Sequence, residues 1–325
     1  MRKRIIGLLI LLFCCGVAPR QKAMKILQEG VKDKSVIVRI NAAKGLAQIG
    51  DTQGVKILYE ILGTNQRDAV VASLSALNDF GLLTLSPIVA QLAQSNDPLI
   101  RTEVYRLIVH INDVACRNIL IKGIDDKIAK IRRLSYLGLE KFNEKNIIRD
   151  GLWDIDPLVR IYVAKTLANL GEKEMANFIR RELQSADIEI WKQGIIALAE
   201  IDDTSAIPLI KGLFKDTPWE LRIEAAEALL IFNDLQGLGV LKEGLHAQDP
   251  FIRIEAVRVF KEHQVPEAFL LLKEVVRDEY INVSIGAIEA LAQYPSEDSK
   301  KLFIEMMDAP NNLIKIAAAT AYLRS

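Results

Sequence analysis

The sequence has few cysteines and histidines and no excess of charge of either sign. Its 325 residues include three cysteines and three histidines, and 42 basic residues balance 42 acidic ones. Cys14 and Cys15 are adjacent and Cys116 stands alone, so the cysteines cannot build a framework of disulfide bonds. A neutral chain lacks the basic excess with which nucleic-acid binders neutralise phosphates, and this disfavours nucleic acid as a partner.

The motifs of common catalytic and metal sites are also missing from the sequence. It contains neither a glycine-rich phosphate loop nor the spaced cysteines of a zinc site. Cys116 has no histidine nearby in the sequence, which favours a structural thiol over a nucleophile. His110, His246 and His263 are far apart, and none is followed by glutamate. We therefore predict no catalytic residue, no metal site and no cofactor.

The first 18 residues have the pattern of an export signal. Three basic residues precede an apolar run of roughly 14 residues that begins at Ile5, which is too short for a membrane span and typical of a signal. The run ends in Cys-Cys-Gly, which resembles a bacterial lipoprotein signal with Cys15 as the better lipidation candidate. The alternatives are simple cleavage after Ala18 and a remaining repeat helix over residues 5–18. We predict an exported protein of the cell envelope whose membrane contact is through residues 1–18 alone.

One phrase recurs through the rest of the chain. The sequences DPLIR, DPLVR and DPFIR begin at Asp97, Asp156 and Asp249. When the chain is aligned on the final arginine of the phrase, ten equivalent positions follow one another at intervals of 31 residues, apart from one interval of 28. These anchor positions are Arg39, Val70, Arg101, Arg132, Arg160, Trp191, Arg222, Arg253, Ser284 and Lys315. Such regularity is typical of a repeat protein.

Each repeat has the periodicity of a pair of helices. Small residues three positions after the anchor and large apolar residues seven after it form one stripe of a helix. Aspartate and proline before the anchor are typical of the N-cap and first position, and a shorter apolar segment precedes them. The 28-residue interval removes about one turn from the first helix, around residues 145–153. No repeat can bury its apolar surface alone. We predict an all-α, right-handed superhelical solenoid of about ten 31-residue repeats over residues 20–325.

The phrase Asp-Pro-x-hydrophobic-Arg, followed by Ala or Val and then Leu, resembles the HEAT-like repeat of phycobilisome lyase subunits. The resemblance covers about residues 20–325 and implies a fold more than an activity. It also implies that each anchor arginine pairs with a nearby loop aspartate, whereas the alternative is a ladder that binds anions. Deoxyhypusine hydroxylase, a di-iron enzyme of similar fold, relies on His-Glu pairs that this chain lacks.

The outward side of the second helices is the predicted partner-binding surface. Positions five and nine residues after the anchor point away from the core, and we expect this ridge on the concave side. It is basic or polar in the early repeats and acidic in the later ones, with apolar residues between that mark a binding site. The alternative is that these apolar residues extend the core. The predicted partner-binding residues are Arg106, His110, Leu134, Leu137, Lys141, Tyr162, Lys165, Ile196 and Ile231.

The last repeat carries no polar helix that would cover Ile316 and Leu323. This predicts either self-association through the last repeat or a longer natural array. The favoured function is a non-enzymatic scaffold that binds a protein or peptide at the cell envelope. The alternative, which the resemblance implies, is a lyase-like or chaperone-like factor that handles a tetrapyrrole chromophore or its acceptor protein.

Overall fold

The computed structural model describes residues 18–81, 84–215 and 217–325. Every regular element in these ranges is helical, and the helices form ten consecutive pairs, which confirms the predicted all-α repeat fold. The predicted signal before Ala18, including Cys15, lies outside the described residues. Among the helices that are described, none is both long and apolar enough to cross a membrane.

Each pair consists of a first helix and a second helix that carries the anchor position. The second helices are α2 (Val36–Gln48), α4 (Arg67–Phe80), α6 (Pro98–Ile108), α8 (Ala129–Leu139), α10 (Pro157–Asn169), α12 (Ile188–Glu200), α14 (Trp219–Ile231), α16 (Pro250–Glu262), α18 (Ile281–Leu291) and α20 (Asn312–Arg324). The first helices are α1 (residues 18–30), α3 (Thr52–Leu62), α5 (Pro87–Leu92), α7 (Val114–Gly123), α9 (Lys145–Asp150), α11 (Met175–Glu182), α13 (Ile207–Gly212), α15 (Leu238–Leu245), α17 (Ala268–Val275) and α19 (Glu297–Met306).

The aspartate of the recurring phrase begins the second helix, as the sequence predicts. The Asp97 carboxylate accepts hydrogen bonds from the amides of Leu99 at 2.8 Å and Ile100 at 3.4 Å. The Asp156 carboxylate accepts in the same way at the start of α10, and proline occupies the first turn of both helices. The side chain thereby satisfies amides that have no partner within the helix.

The repeat that is three residues short contains α9 and α10. Helix α9 spans six residues, and one 3₁₀ turn, Gly151–Trp153, follows before α10 begins. Helices α5 and α13, in repeats of the usual length, also span six residues, so the location of the missing turn stays a prediction. Trp153 and Ile155, seven and five residues before the anchor Arg160, are 89% and 91% exposed, and the equivalent residues Lys32 and Lys34 of the first repeat are exposed as well.

The chain divides into two compact units. The middle unit is Gly81–Val259, and the terminal unit combines the described residues up to Phe80 with Phe260–Ser325. Within the middle unit, α6, α8, α10, α12 and α14 each contact the next of these second helices. Their apolar stripes form the core, in which Ile161, Leu198 and Leu229 are fully buried.

Within the terminal unit, the last repeat packs against the first. Helix α20 contacts α2, and Ile316 lies against α1, where a methyl group added at Gly30 would be 3.2 Å from Ile316 Cδ1. In the middle unit, a methyl group added at Gly244 would be 3.5 Å from Ile223 Cδ1. Both isoleucines follow an anchor by one position, and both glycines precede the next anchor by nine. The last repeat therefore packs against the first repeat in the same way as a repeat in the middle unit packs against the repeat that follows it.

This packing corrects the expectation for the last repeat. Ile316 is 4% exposed, because α1 and α2 cover the face that we expected to be open. Lys44 of α2 adds polar contacts, since its Nζ lies 2.7 Å from an Asp79 oxygen and 3.3 Å from Glu289 Oε1 on α18. Ile316 is thus covered by the chain's own first repeat, whereas Leu323 is partly exposed, and self-association through the last repeat stays a prediction.

Candidate functional site

The anchor arginines of the middle unit tie consecutive repeats together. Three of them form paired hydrogen bonds to a carboxylate in the following repeat: Arg101 to Asp126, Arg132 to Asp154, and Arg160 to Glu182. The Nη1 group of Arg132 also donates to the Asp126 carbonyl oxygen at 2.9 Å, six residues before it. These contacts confirm, for two repeats, the pairing with a loop aspartate that the resemblance implies, whereas Arg160 pairs with Glu182, the last residue of α11. They also occupy the guanidinium groups that an anion-binding ladder would need.

Two of the paired carboxylates, Asp126 and Asp154, are held in their charged form. Burial alone would raise the pKa values of Asp126 and Asp154, but hydrogen bonds from Arg101 and Arg132 and from backbone amides outweigh it and lower both values. Trp191 replaces an arginine at the next anchor. Its indole Nε1 donates to the Ser185 carbonyl oxygen at 2.9 Å, also six residues earlier. Tryptophan thus keeps the backbone contact of the anchor without its charge.

The predicted partner-binding residues all belong to the middle unit, on or just after its second helices. His110 and Lys141 are exposed. The partial burial that remains at His110 and the nearby charge of Lys141 both lower the pKa of His110. Arg106 is about one-third exposed and lies 3.4 Å from Glu103. These three residues are therefore accessible to a partner from solvent.

The apolar members of the predicted surface are less accessible. Leu134 and Leu137 are half-buried, and Ile196 and Ile231 are partly buried against the core of the middle unit. The packing of Ile196 and Ile231 agrees with the alternative prediction, in which the apolar residues of the ridge extend the core. Leu134 differs, because it lines a cavity.

The acidic part of the ridge is neutralised by cations from the same surface. Both Glu227 oxygens accept hydrogen bonds from Arg258, at 3.0 and 2.8 Å, and Glu200 lies 2.5 Å from Lys165 Nζ. Glu224 belongs to the same cluster. Burial and the adjacent Glu227 raise the pKa of Glu224 to about 8, although Arg258 opposes the shift. The expected acidic surface is in large part an internal network.

A cavity of about 270 Å³ opens between α8, α10 and α12. Its lining residues are Lys130, Arg133, Leu134, Tyr162, Glu189 and Gln193. The Tyr162 ring lies between two cations, with Arg133 Cζ 5.4 Å and Lys165 Nζ 5.2 Å from its centroid. The phenol donates to Gln193 Oε1 at 2.9 Å, and burial raises its pKa, which keeps it protonated. The cavity therefore combines an aromatic surface with basic side chains.

Sequence reasoning did not identify Lys130, Arg133, Trp153 or Ile155. For Arg133 the signal was present, because the position after the anchor is aliphatic in most repeats and carries arginine in this one. For Trp153 the signal was the residue type, because the position seven before the anchor carries a polar residue or glycine in the other repeats. For Lys130 the sequence contains no such signal. Its position beside the cavity depends on residues of two other repeats, on α10 and α12.

Cys116 behaves as a structural thiol. It is fully buried on α7, and burial raises its pKa to about 11. Its thiolate, the nucleophilic form, is therefore scarce at neutral pH.

Comparison with known proteins identifies the repeat. A family model described as HEAT repeats matches residues 9–78, 146–230 and 238–323. The first match begins at residue 9, within the predicted signal. The alternative prediction, a repeat helix over residues 5–18, would require such an overlap. No curated protein sequence matches the chain.

Several solved structures are similar to the chain at low identity. An engineered protein is 18% identical, with 94% of this chain and 99% of that one covered and a TM-score of 0.35. The complex of CpcE and CpcF of phycocyanin lyase from a Nostoc species is 18% identical, covering 71% and 94% with a TM-score of 0.46. Human deoxyhypusine hydroxylase in complex with glycerol is 15% identical, covering 79% and 98% with a TM-score of 0.34. All three scores are below 0.5, so none supports a conclusion about function.

Proposed function

We propose that this chain, which belongs to the HEAT-repeat family, is a scaffold that binds a protein or peptide partner on the second helices of its middle unit. The observation that carries the proposal is the cavity at Tyr162, whose ring lies between Arg133 and Lys165 and beside Leu134. Tyrosine and arginine are enriched among the residues that dominate interface energies. Exposed Lys141 and His110 on the same surface supply a polar rim.

The scaffold role that we propose is non-enzymatic. The polar groups around the cavity contact one another from one repeat to the next, as Tyr162 does with Gln193 and Lys165 with Glu200. Such contacts fix the shape of a surface and leave it suited to recognition by complementary groups. Affinity would come from many weak contacts along the repeats.

An envelope location is part of the same proposal. It is supported by the sequence of the first 18 residues, with basic residues, an apolar run and the lipidation candidate Cys15. The alternative function, a factor that handles a tetrapyrrole or its acceptor, gains no support from the similarity to phycocyanin lyase subunits, given 18% identity and a TM-score of 0.46.

Site-specific photo-crosslinking tests the scaffold proposal with the full chain in its native cells. A photoreactive residue replaces Lys141, Arg106 or, as a control, Lys122, which is exposed on α7 of the same unit. We expect one partner protein to be captured from Lys141 and Arg106 and not from Lys122. Equal capture from all three positions, or no capture from Lys141, would overturn the proposal.

A further inference from the structure

One wall of the cavity at Tyr162 carries positive charge that the chain itself does not neutralise. Lys130 and Arg133 line this wall, and neither forms a salt bridge with any carboxylate among the described residues. By contrast, Arg106 and Lys165 on the same surface have the carboxylates of Glu103 and Glu200 within reach. The cavity thus has two cations that form no salt bridge within the described residues, and Lys130 is exposed to solvent.

Arg133 has an unsatisfied donor in addition to its charge. Its Nε is buried and has no acceptor in the described structure. A buried N–H group without an acceptor is destabilising, so the chain leaves part of the hydrogen-bonding capacity of this guanidinium unused. Burial and the positive charges of Arg106 and Arg133 lower the pKa of Lys130, although the nearby Glu103 carboxylate opposes the shift. An anion that approaches this wall is attracted by Lys130 and Arg133.

The rest of the cavity suits a short aliphatic side chain. Leu134 and the Tyr162 ring provide apolar surface next to the two cations. On the opposite side, Glu189 accepts a hydrogen bond from Gln193 Nε2 at 2.9 Å and lies 3.1 Å from Lys192 Nζ. A carboxylate has more acceptor positions than these two contacts use, so Glu189 can also accept from a peptide N–H.

We propose that this cavity binds a glutamate or aspartate side chain in an acidic segment of the partner, a step that rests on the scaffold function proposed above. The ligand carboxylate accepts from Arg133 and Lys130, its methylene groups lie against Tyr162 and Leu134, and Glu189 accepts a main-chain N–H of the segment. The site thereby recognises a negative charge together with the peptide that carries it.

The same geometry disfavours a phosphate group as the ligand. A phosphate carries close to two negative charges and offers acceptor oxygens on every side. In this cavity one of those sides would face the Glu189 carboxylate, which repels it. A peptide carboxylate has one negative charge, and the adjacent N–H groups of its segment are donors. The wall that carries Glu189 therefore selects the peptide.

Binding of a labelled octaglutamate peptide to the full-length protein tests this site. Fluorescence anisotropy is measured at low and physiological salt, with labelled octaglutamine as the uncharged control peptide and inorganic phosphate as a competitor. Lys130→Gln and Arg133→Gln each remove one cation of the cavity. Lys122→Gln is the matched control, because it removes one exposed cation from another surface of the same unit. Thermal unfolding verifies that each variant is folded.

We expect the wild type to bind octaglutamate and not octaglutamine. Each cavity variant should weaken binding by roughly fivefold or more, and Lys122→Gln by less than about twofold. Equal weakening by all three substitutions, or no binding of octaglutamate, would overturn the inference. Displacement of octaglutamate by inorganic phosphate at an equal concentration would overturn it in favour of a phosphate ligand.

Crosslinking from Lys141 in the Arg133→Gln variant separates this inference from the scaffold proposal. If the wild type captures a partner and the Arg133→Gln variant does not, the result supports both the scaffold proposal and the acidic-segment inference. A partner that is captured equally from wild type and variant overturns the acidic-segment inference and leaves the scaffold proposal intact. No capture from the wild type overturns the scaffold proposal, while the peptide titration still decides whether the cavity binds carboxylates.

Discussion

Arg132 holds Asp154 of the next repeat through two parallel hydrogen bonds, Nε to Oδ2 and Nη2 to Oδ1, each 2.7 Å long. The two side chains are 13% and 9% exposed, so water competes weakly for them. The same guanidinium donates to the Asp126 carbonyl oxygen in its own repeat. One side chain therefore connects the loops of two repeats, and the removal of its partner leaves a partly buried charge unpaired.

Asp154→Asn should therefore destabilise the protein. The substitution keeps the size of the side chain and removes the charge that Arg132 binds, so we expect a loss of about 1.5–3 kcal/mol in the free energy of unfolding. Urea denaturation measures the loss. Glu305→Gln is the control, because its pair with Arg277 is more than 60% exposed on both sides and should contribute less than about 0.5 kcal/mol. Equal losses in the two variants would contradict the assigned role of the anchor.

Glu224 should make the protein less stable as the pH rises. Its pKa in the folded protein, about 8, lies above the ordinary value of 4.5, so the folded chain retains a proton that the unfolded chain releases. This contribution is complete below about pH 4.5 and is lost as the pH rises through about 8. The urea midpoint of the wild type should fall between pH 5 and pH 9, and less so in Glu224→Gln. Exposed Glu243→Gln should retain the wild-type slope. Identical slopes in the two variants would exclude Glu224 as the cause.

Ile316→Ala should cost as much stability as Ile223→Ala. Both isoleucines are nearly fully buried, at 4% and 1% exposure, and both lie against the equivalent glycine of another repeat. Truncation of such a side chain costs about 2–5 kcal/mol. Chemical denaturation of the two variants compares the contact between the last and first repeats with an ordinary contact between neighbours. A negligible cost for Ile316→Ala would show that the last and first repeats are apart in solution.

Cys15→Ser should release the protein from the membrane fraction, whereas Cys14→Ser should not. Lipidation requires the thiol of the residue that follows the cleavage site, and Cys15 is the better candidate for that position. Fractionation followed by intact-mass measurement distinguishes a lipid-modified chain that begins at Cys15 from a chain cleaved elsewhere. Recovery of a soluble wild-type chain that begins at Met1 would contradict both export and lipidation.

The elements that could be predicted from the sequence are those that depend on local chemistry. Asp97 and Asp156 cap their helices through amides two and three residues away, and this distance is visible in any single copy of the phrase. The burial of Leu198 and Leu229 follows from their place on the helical stripe. Because these features repeat, each copy supports the interpretation of the others.

The remaining features depend on residues from several repeats. The cavity takes Arg133 from α8, Tyr162 from α10 and Glu189 from α12, and no local pattern links these positions. A periodic sequence predicts contacts between consecutive repeats and says nothing about a contact between α20 and α2. The contact between α20 and α2 joins segments that are far apart in the sequence, and no periodic pattern marks such a pairing.

The terminal unit has a consequence for the order of events during synthesis. Its two segments, which end at Phe80 and begin at Phe260, are separated by the whole middle unit. At roughly 5–20 residues per second, about 10–40 s pass on the ribosome before the earlier segment can meet the later one. Closure of so long a loop also carries an entropic cost that slows folding. A nascent chain whose leading repeats are still without their partner is kept incompletely folded, which is the state that export across a membrane would require.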